Sequence, residues 1–191
     1  MTDVVVITPT PGGAVVEGIS VERVQAPRVP RFEFLYTPRG VHAVGDALEK
    51  HRVDVAHCHV SIISPAALGG AAQAVRRHIP TVVTFHSVVP QTGILARAAK
   101  LAMRTGTWPA RFTAVSDRVA RDVRPIAGSH AMTILPNGID VAAWMSAPAI
   151  RDEKTINLVS VMRLNPKKRP LKLVDLMRAL DARLPRPGGF R

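Results

Sequence analysis

Short runs of β-branched and apolar residues alternate along this chain with stretches whose apolar positions recur every three or four residues. The runs Val4–Thr8, Ile19–Val24, Val53–His57, Thr81–Phe85, Phe112–Val115, Met132–Leu135 and Ile156–Met162 read as strands. They are apolar on both faces, as parallel strands covered by helices are. Val41, Val44 and Leu48 share one face of a helix over residues 41–52. The Ala-rich stretch 65–78 ends in Arg76, Arg77 and His78, cations that suit the negative end of a helix dipole. Ser116, placed after a strand and before Asp117, predicts an N-cap with an acid in the first turn, and Pro125 predicts the end of that helix. Pro136-Asn137-Gly138 reads as the turn that closes a further strand. The alternation predicts an α/β fold with a doubly wound parallel sheet.

The pattern changes near residue 141. Residues 1–140 read as one domain, and 141–155 as a linker, Ala-rich with Trp144 and Pro148 and followed by Arg151-Asp152-Glu153-Lys154. Residues 156–191 supply one strand, one helix and a tail with Pro185, Pro187, Gly188 and Gly189, so they read as the start of an incomplete second domain.

Composition narrows the function classes. Of the 191 residues 47% are hydrophobic and 21% charged, which supports a packed core and excludes wholesale disorder. A net charge of +12 favours an anionic partner. Aromatics are only 4% and are not interleaved with Arg and Lys, so a nucleic-acid partner is not expected. The single cysteine, Cys58, cannot form an internal disulfide, which predicts a reducing compartment: the cytoplasm, or the cytoplasmic face of the membrane. The opening Met1–Ile7 has no positive n-region, and Pro65, Gly69, Gly70, Pro80 and Pro90 interrupt the longest uncharged stretches. Neither a signal peptide nor a spanning helix is expected.

Ligands of an open parallel sheet sit beyond the carboxyl ends of its strands. There the sequence places His57, Cys58 and His59 on one run, His86 after the next, and Ser116 after another. Strand alternation turns His57 and His59 to one side and Cys58 to the other, with His86 approaching from a neighbouring strand. Each histidine alone reads as a residue satisfying backbone groups at a strand end. A metal site would need a third ligand, and the only nearby acid, Asp54, falls on the opposite face. The densest basic cluster is Arg163-Leu164-Asn165-Pro166-Lys167-Lys168-Arg169-Pro170, between a strand and a helix. It reads either as an anion site or as a solvated charge run. Neither a Walker motif nor GxGxxG is present. Arg97, Lys100 and Arg104 form a stripe opposite Ile94, Leu95 and Leu101, the pattern of a packed helix with a wet face or of one lying on anionic lipid.

In order, Asp54-Val55-Ala56-His57-Cys58-His59, Pro80-Thr81-Val82-Val83-Thr84-Phe85-His86, Thr113-Ala114-Val115-Ser116, Ile134-Leu135-Pro136-Asn137-Gly138-Ile139-Asp140 and Arg163-Leu164 with Lys168 resemble the motifs of family 4 glycosyltransferases, retaining enzymes of the GT-B fold. The resemblance implies a Rossmann-like N-terminal domain on the acceptor side, followed by the start of a nucleotide-sugar-binding domain. It implies hexosyl transfer from a UDP- or GDP-linked sugar to an acceptor glycan or phospholipid. His86 then stands near the donor sugar as the catalytic residue, with His57, His59 and Ser116 lining the cleft. Arg163 and Lys168 meet the donor diphosphate, whose negative charge grows in the transition state. No metal or cofactor is implied. Against the family pattern, the chain begins at what resembles the second strand, without the first strand and its Gly-rich loop, and Gly12-Gly13 do not replace that loop. The usual Gly after the lysine is replaced by Arg169-Pro170, and no E-x7-E segment follows. The expectation is a fragment truncated at both ends and inactive alone. The alternatives are a noncatalytic anion- or lipid-binding module and, third, a histidine-metal hydrolase.

Overall fold

The computed structural model describes residues 3–25, 38–61, 65–87, 105–145, 158–164 and 166–183. The chain divides into two units, Met1–Gly138 and Ile139–Arg191. The first carries strands β1 (Val5–Thr8), β2 (Val15–Val16), β3 (Ile19–Arg23), β4 (Ala56–Val60), β5 (Thr81–Phe85), β6 (Ala110–Ala114) and β7 (Met132–Ile134), with helices α1 (Pro38–Lys50), α2 (Pro65–Arg76) and α3 (Asp117–Ala127).

β4, β5, β6 and β7 form an all-parallel sheet in that order, as an α/β chain with helical crossovers requires. One face is apolar. Cys58 and Val60, Val83 and Phe85, and Phe112 and Ala114 lie in register across three strands. They pack with Ala71 of α2 and Val119, Ala120 and Val123 of α3. Phe85 and Phe112 stack at 6.4 Å between ring centroids.

A second sheet has the order β1-β3-β2. β1 pairs parallel with β3, whereas β2 runs antiparallel to it. The two-residue connection, Glu17 (φ 49°) and Gly18 (φ 80°), has positive φ at both positions, as a tight hairpin between twisted strands demands. The alternating pattern therefore holds a hairpin in place of an uninterrupted parallel order. Arg23 gathers the preceding loop, donating from Nε and Nη2 to the Gly13 carbonyl (3.0 and 2.9 Å) and from Nη1 to that of Thr10 (2.8 Å). β1 and β2 are the two edges of this sheet, and Val6 on β1 is 41% exposed.

Leu48, Ala56 and Ala74 are buried together, with Ile7, Val53 and Ile79 against them, which joins α1, α2 and the strands β1 and β4. Arg77 reinforces the α1–α2 contact by donating from Nε to Glu49 Oε1 (2.7 Å). Its guanidinium occupies the space that a Cβ at Gly45 would need, so the glycine allows this close approach.

Among the boundaries that shift from the expected ones, two have a clear physical cause. The strand read as Val53–His57 lies three residues later, because its ladder partner begins at Thr81 opposite Ala56. His57 and His59 are consequently on β4 and not beyond its end. Pro125 lies inside α3 instead of ending it. Packing of Val123, Ile126 and Ala127 on the sheet holds the last turn despite the missing N–H. The helix stops at Gly128 (φ 68°), whose N–H donates to the Arg124 carbonyl (2.9 Å).

The second unit carries helices α4 (Val141–Met145) and α5 (Pro170–Asp181). The expected linker thus opens on α4, where Asp140 Oδ1 accepts from the Ala143 N–H (3.1 Å), while residues 146–157 lie outside the described residues. Residues 158–162, expected in a strand, form no ladder, and Val159 and Val161 are 85% and 96% exposed. A strand requires a partner for its backbone groups, and no other strand occurs among the described residues of this unit. The stripe of Arg97, Lys100 and Arg104 also lies outside the described residues. Among the described residues no helix is long and apolar enough to cross a membrane.

Candidate functional site

The face of the parallel sheet opposite α2 and α3 is polar. His59 of β4 is in register with Thr84 of β5, Thr84 with Thr113 of β6, and Thr113 with Thr133 of β7. His57 is two residues before His59 and so shares its face. Its Nε2 is 2.6 Å from Thr84 Oγ1, which is in turn 2.6 Å from Thr113 Oγ1. Thr84 is 2% exposed and Thr113 7%, so the two hydroxyls satisfy each other within the sheet.

His86 directly follows β5, and its backbone N–H donates to the Val60 carbonyl at the end of β4 (2.8 Å). This extension of the ladder sets the imidazole beside β4. His86 Nε2 is 2.8 Å from His59 Nδ1, with the ring centroids 5.0 Å apart. His57 and His59 stand face to face at 4.2 Å with a 34° tilt. The structure thus brings together all three histidines singled out from the sequence.

Partial desolvation against the sheet holds the His57 imidazole below its ordinary value, with repulsion from His86 adding to it. His59 is lowered chiefly by burial, then by His57 and His86. Both effects disfavour the charged rings, so His57 and His59 are neutral hydrogen-bonding groups at pH 7. Cys58 faces the apolar side against Val60 and Ala71, and burial pushes its thiol up to about 11. It is a packing residue and a poor nucleophile at neutral pH.

Ser116 follows β6 and caps α3. Its backbone is extended (φ −163°, ψ 161°), and its Oγ accepts from the Val119 N–H (3.3 Å). Its hydroxyl is therefore engaged in the cap, at the carboxyl end of the strand next to the one that carries His86.

Arg163 and Lys168 belong to the second unit, and both are exposed. Lys168 closes a 3-10 turn, Pro166–Lys168, immediately before α5. At the α5 N-cap Arg169 adopts left-handed backbone (φ 51°) without a side-chain cap bond, and Pro170 follows at the first helical position. No acidic side chain occupies the first turn of α5. Two cations of the cluster thus flank a helix start with no side-chain cap, an arrangement able to receive an anion.

Thr84 and Thr113 were not singled out from the sequence. Each sits inside an apolar run where a threonine reads as one more β-branched residue, and only the register across β4, β5 and β6 joins them to the histidines. Among the described residues no group of three or more His, Cys, Asp or Glu side chains is placed to hold a metal ion. His57 and His59 instead make their hydrogen bonds to Thr84 and His86.

Compared with known proteins, residues 2–143 match the family described as Glycosyltransferase Family 4. No curated protein matches the chain.

Proposed function

Because the chain belongs to glycosyltransferase family 4, we propose that it serves the transfer of a hexosyl unit from a nucleotide-diphosphate sugar, UDP- or GDP-linked, to a glycan or phospholipid acceptor. The observation that carries this reading is His86, an imidazole at the carboxyl end of a parallel strand and hydrogen-bonded to a second imidazole. A ligand of such a sheet meets that end.

In this reading His86 faces the donor sugar and forms a hydrogen bond at its reacting face or to a hydroxyl, while Arg163 and Lys168 bind the diphosphate. As the sugar leaves, negative charge grows on the departing diphosphate and positive charge on the anomeric carbon. Cations placed beforehand at the diphosphate lower the barrier without the cost of reorganising water. Two side-chain cations supply that charge with no metal ion, and configuration at the anomeric carbon is retained. The net charge of +12 suits both an anionic donor and work at the cytoplasmic face of a membrane with an anionic lipid acceptor.

Binding of UDP and GDP, measured by calorimetry on the chain and on four alanine variants, tests the assignment. Arg163→Ala and Lys168→Ala each remove a charge-assisted bond and are expected to weaken binding by roughly 10- to 100-fold. Lys167→Ala and Arg169→Ala are expected to cost much less. Equal losses at all four positions would show that only general positive charge matters, and the anion-binding module would replace the transferase.

A further inference from the structure

Between His59 Nδ1 and His86 Nε2 there are 2.8 Å and room for one proton. Two bare nitrogens at that distance repel, and two N–H groups collide. One ring must donate and the other accept, so the tautomer of one dictates the tautomer of the other. His86 has only one further ring nitrogen, Nδ1. It carries a proton when Nε2 accepts from His59 and a lone pair when Nε2 donates.

His59 is the partner that belongs to a strand. It lies within the β4–β5 ladder, paired in register with Thr84, and its ring centroid is 4.2 Å from that of His57. His57 is itself anchored to the Thr84 hydroxyl, which the Thr113 hydroxyl ties to β6. His86, by contrast, has left the strand and is held at its backbone by Val60. Hydrogen bonds thus join Thr113, Thr84 and His57 in one row and His59 with His86 in another, and the two rows meet at the tilted rings of His57 and His59.

We propose that His59 is a positioning residue for His86, fixing through this bond both the rotation of the ring and which nitrogen carries the proton. The inference rests on the reading of His86 as the group that faces the donor sugar. A hydroxyl of that sugar then meets an Nδ1 whose role, donor or acceptor, is set before the ligand arrives, the condition for an oriented contact. Among the described residues the titratable groups acting on His59 are His57 and His86, and with burial they keep its ring uncharged at neutral pH. The bond is thus one made by a neutral His59 ring. Cys58 lies on the opposite face of β4.

The test is the protonation state of each ring nitrogen, read by long-range proton–nitrogen NMR on the whole chain labelled with 15N-histidine, at pH 7.5. His86 is expected in one tautomer and His59 in the complementary state. His59→Ala is expected to release His86 into a mixture of both, since an ordinary net hydrogen bond biases the two forms by roughly two- to tenfold. His59→Asn, which returns an amide near the position of Nδ1, is expected to restore the bias in part. Where His59→Ala disturbs the backbone amide spectrum, His59→Phe keeps a ring in place without nitrogens and decides in the same way. A tautomer mixture at His86 in the unaltered protein, or a single tautomer that survives His59→Phe, overturns the proposal. Neither result depends on sugar transfer. A chain with His86 fixed that binds no nucleotide fails the functional reading alone, and one that binds nucleotide with His86 unfixed fails this inference alone.

Discussion

Replacing Thr84 by Val removes one oxygen from the middle of the polar row and leaves the side-chain shape almost unchanged. Thr84 is 2% exposed, and its Oγ1 bonds both His57 Nε2 and Thr113 Oγ1 at 2.6 Å. After Thr84→Val, His57 can turn to water because it lies on an exposed stretch of β4. Thr113, only 7% exposed, loses its partner inside the sheet. A buried hydroxyl left without a partner costs about 1–3 kcal/mol, against a small gain from burying a methyl in place of a hydroxyl. The net expectation is a loss of about 1–2 kcal/mol, a fall in Tm of roughly 2–8 °C for a unit of this size. The second substitution carries the reasoning. Thr113→Val in the Thr84→Val background removes the stranded hydroxyl, so the double variant is expected to be more stable than Thr84→Val alone. Urea unfolding of the four members of the cycle at pH 8, where His57 and His59 are neutral, gives the coupling energy directly. A double variant no more stable than Thr84→Val would refute the claim that these hydroxyls satisfy each other.

Further outcomes follow from the same geometry. His57 and His59 are lowered in the folded chain, so an unfolded chain takes up protons first as pH falls; the stability they confer is intact above the ordinary imidazole value of 6.5 and is lost as pH drops from there through their lowered values. Urea midpoints between pH 8 and 5 check this, and a His57→Ala/His59→Ala variant should show a flatter profile. The Cys58 thiol, pushed up to about 11, is expected to resist iodoacetamide at pH 8 in the native chain and to react rapidly in urea. Ser116→Ala removes the α3 cap and is expected to cost about 1 kcal/mol, with Ser116→Asp retaining most of the stability.

The elements were legible where period and punctuation agreed. The apolar run at Thr81–Phe85 is β5 with the expected ends, because both its faces are covered by neighbours in an all-parallel sheet. Ser116-Asp117 marked the start of α3 because an N-cap is a local device, complete within four residues. The period of two also put His57 and His59 on one side and Cys58 on the other, whichever residue begins the strand. Where a contact spans distant segments, the sequence is silent. β4 starts three residues after the apolar run does because the ladder with Thr81, not the local propensity of Val53, decides which groups pair. Pro125 reads as a stop in the sequence because its local cost is visible there and the packing of Ile126 and Ala127 that offsets it is not. The hairpin of β2 and β3 escaped for the same reason: two valines gain strand character only from a partner. The meeting of His59 with His86, and of Thr84 with Thr113, is a matter of register between strands more than twenty residues apart, and register is a property of the assembled sheet. The sequence by itself determined which side chains were available and on which faces, and its ordered motifs resemble the family that residues 2–143 match. Only the tertiary structure decided which of them share a proton, because a hydrogen bond depends on tenths of an ångström that chain order does not contain.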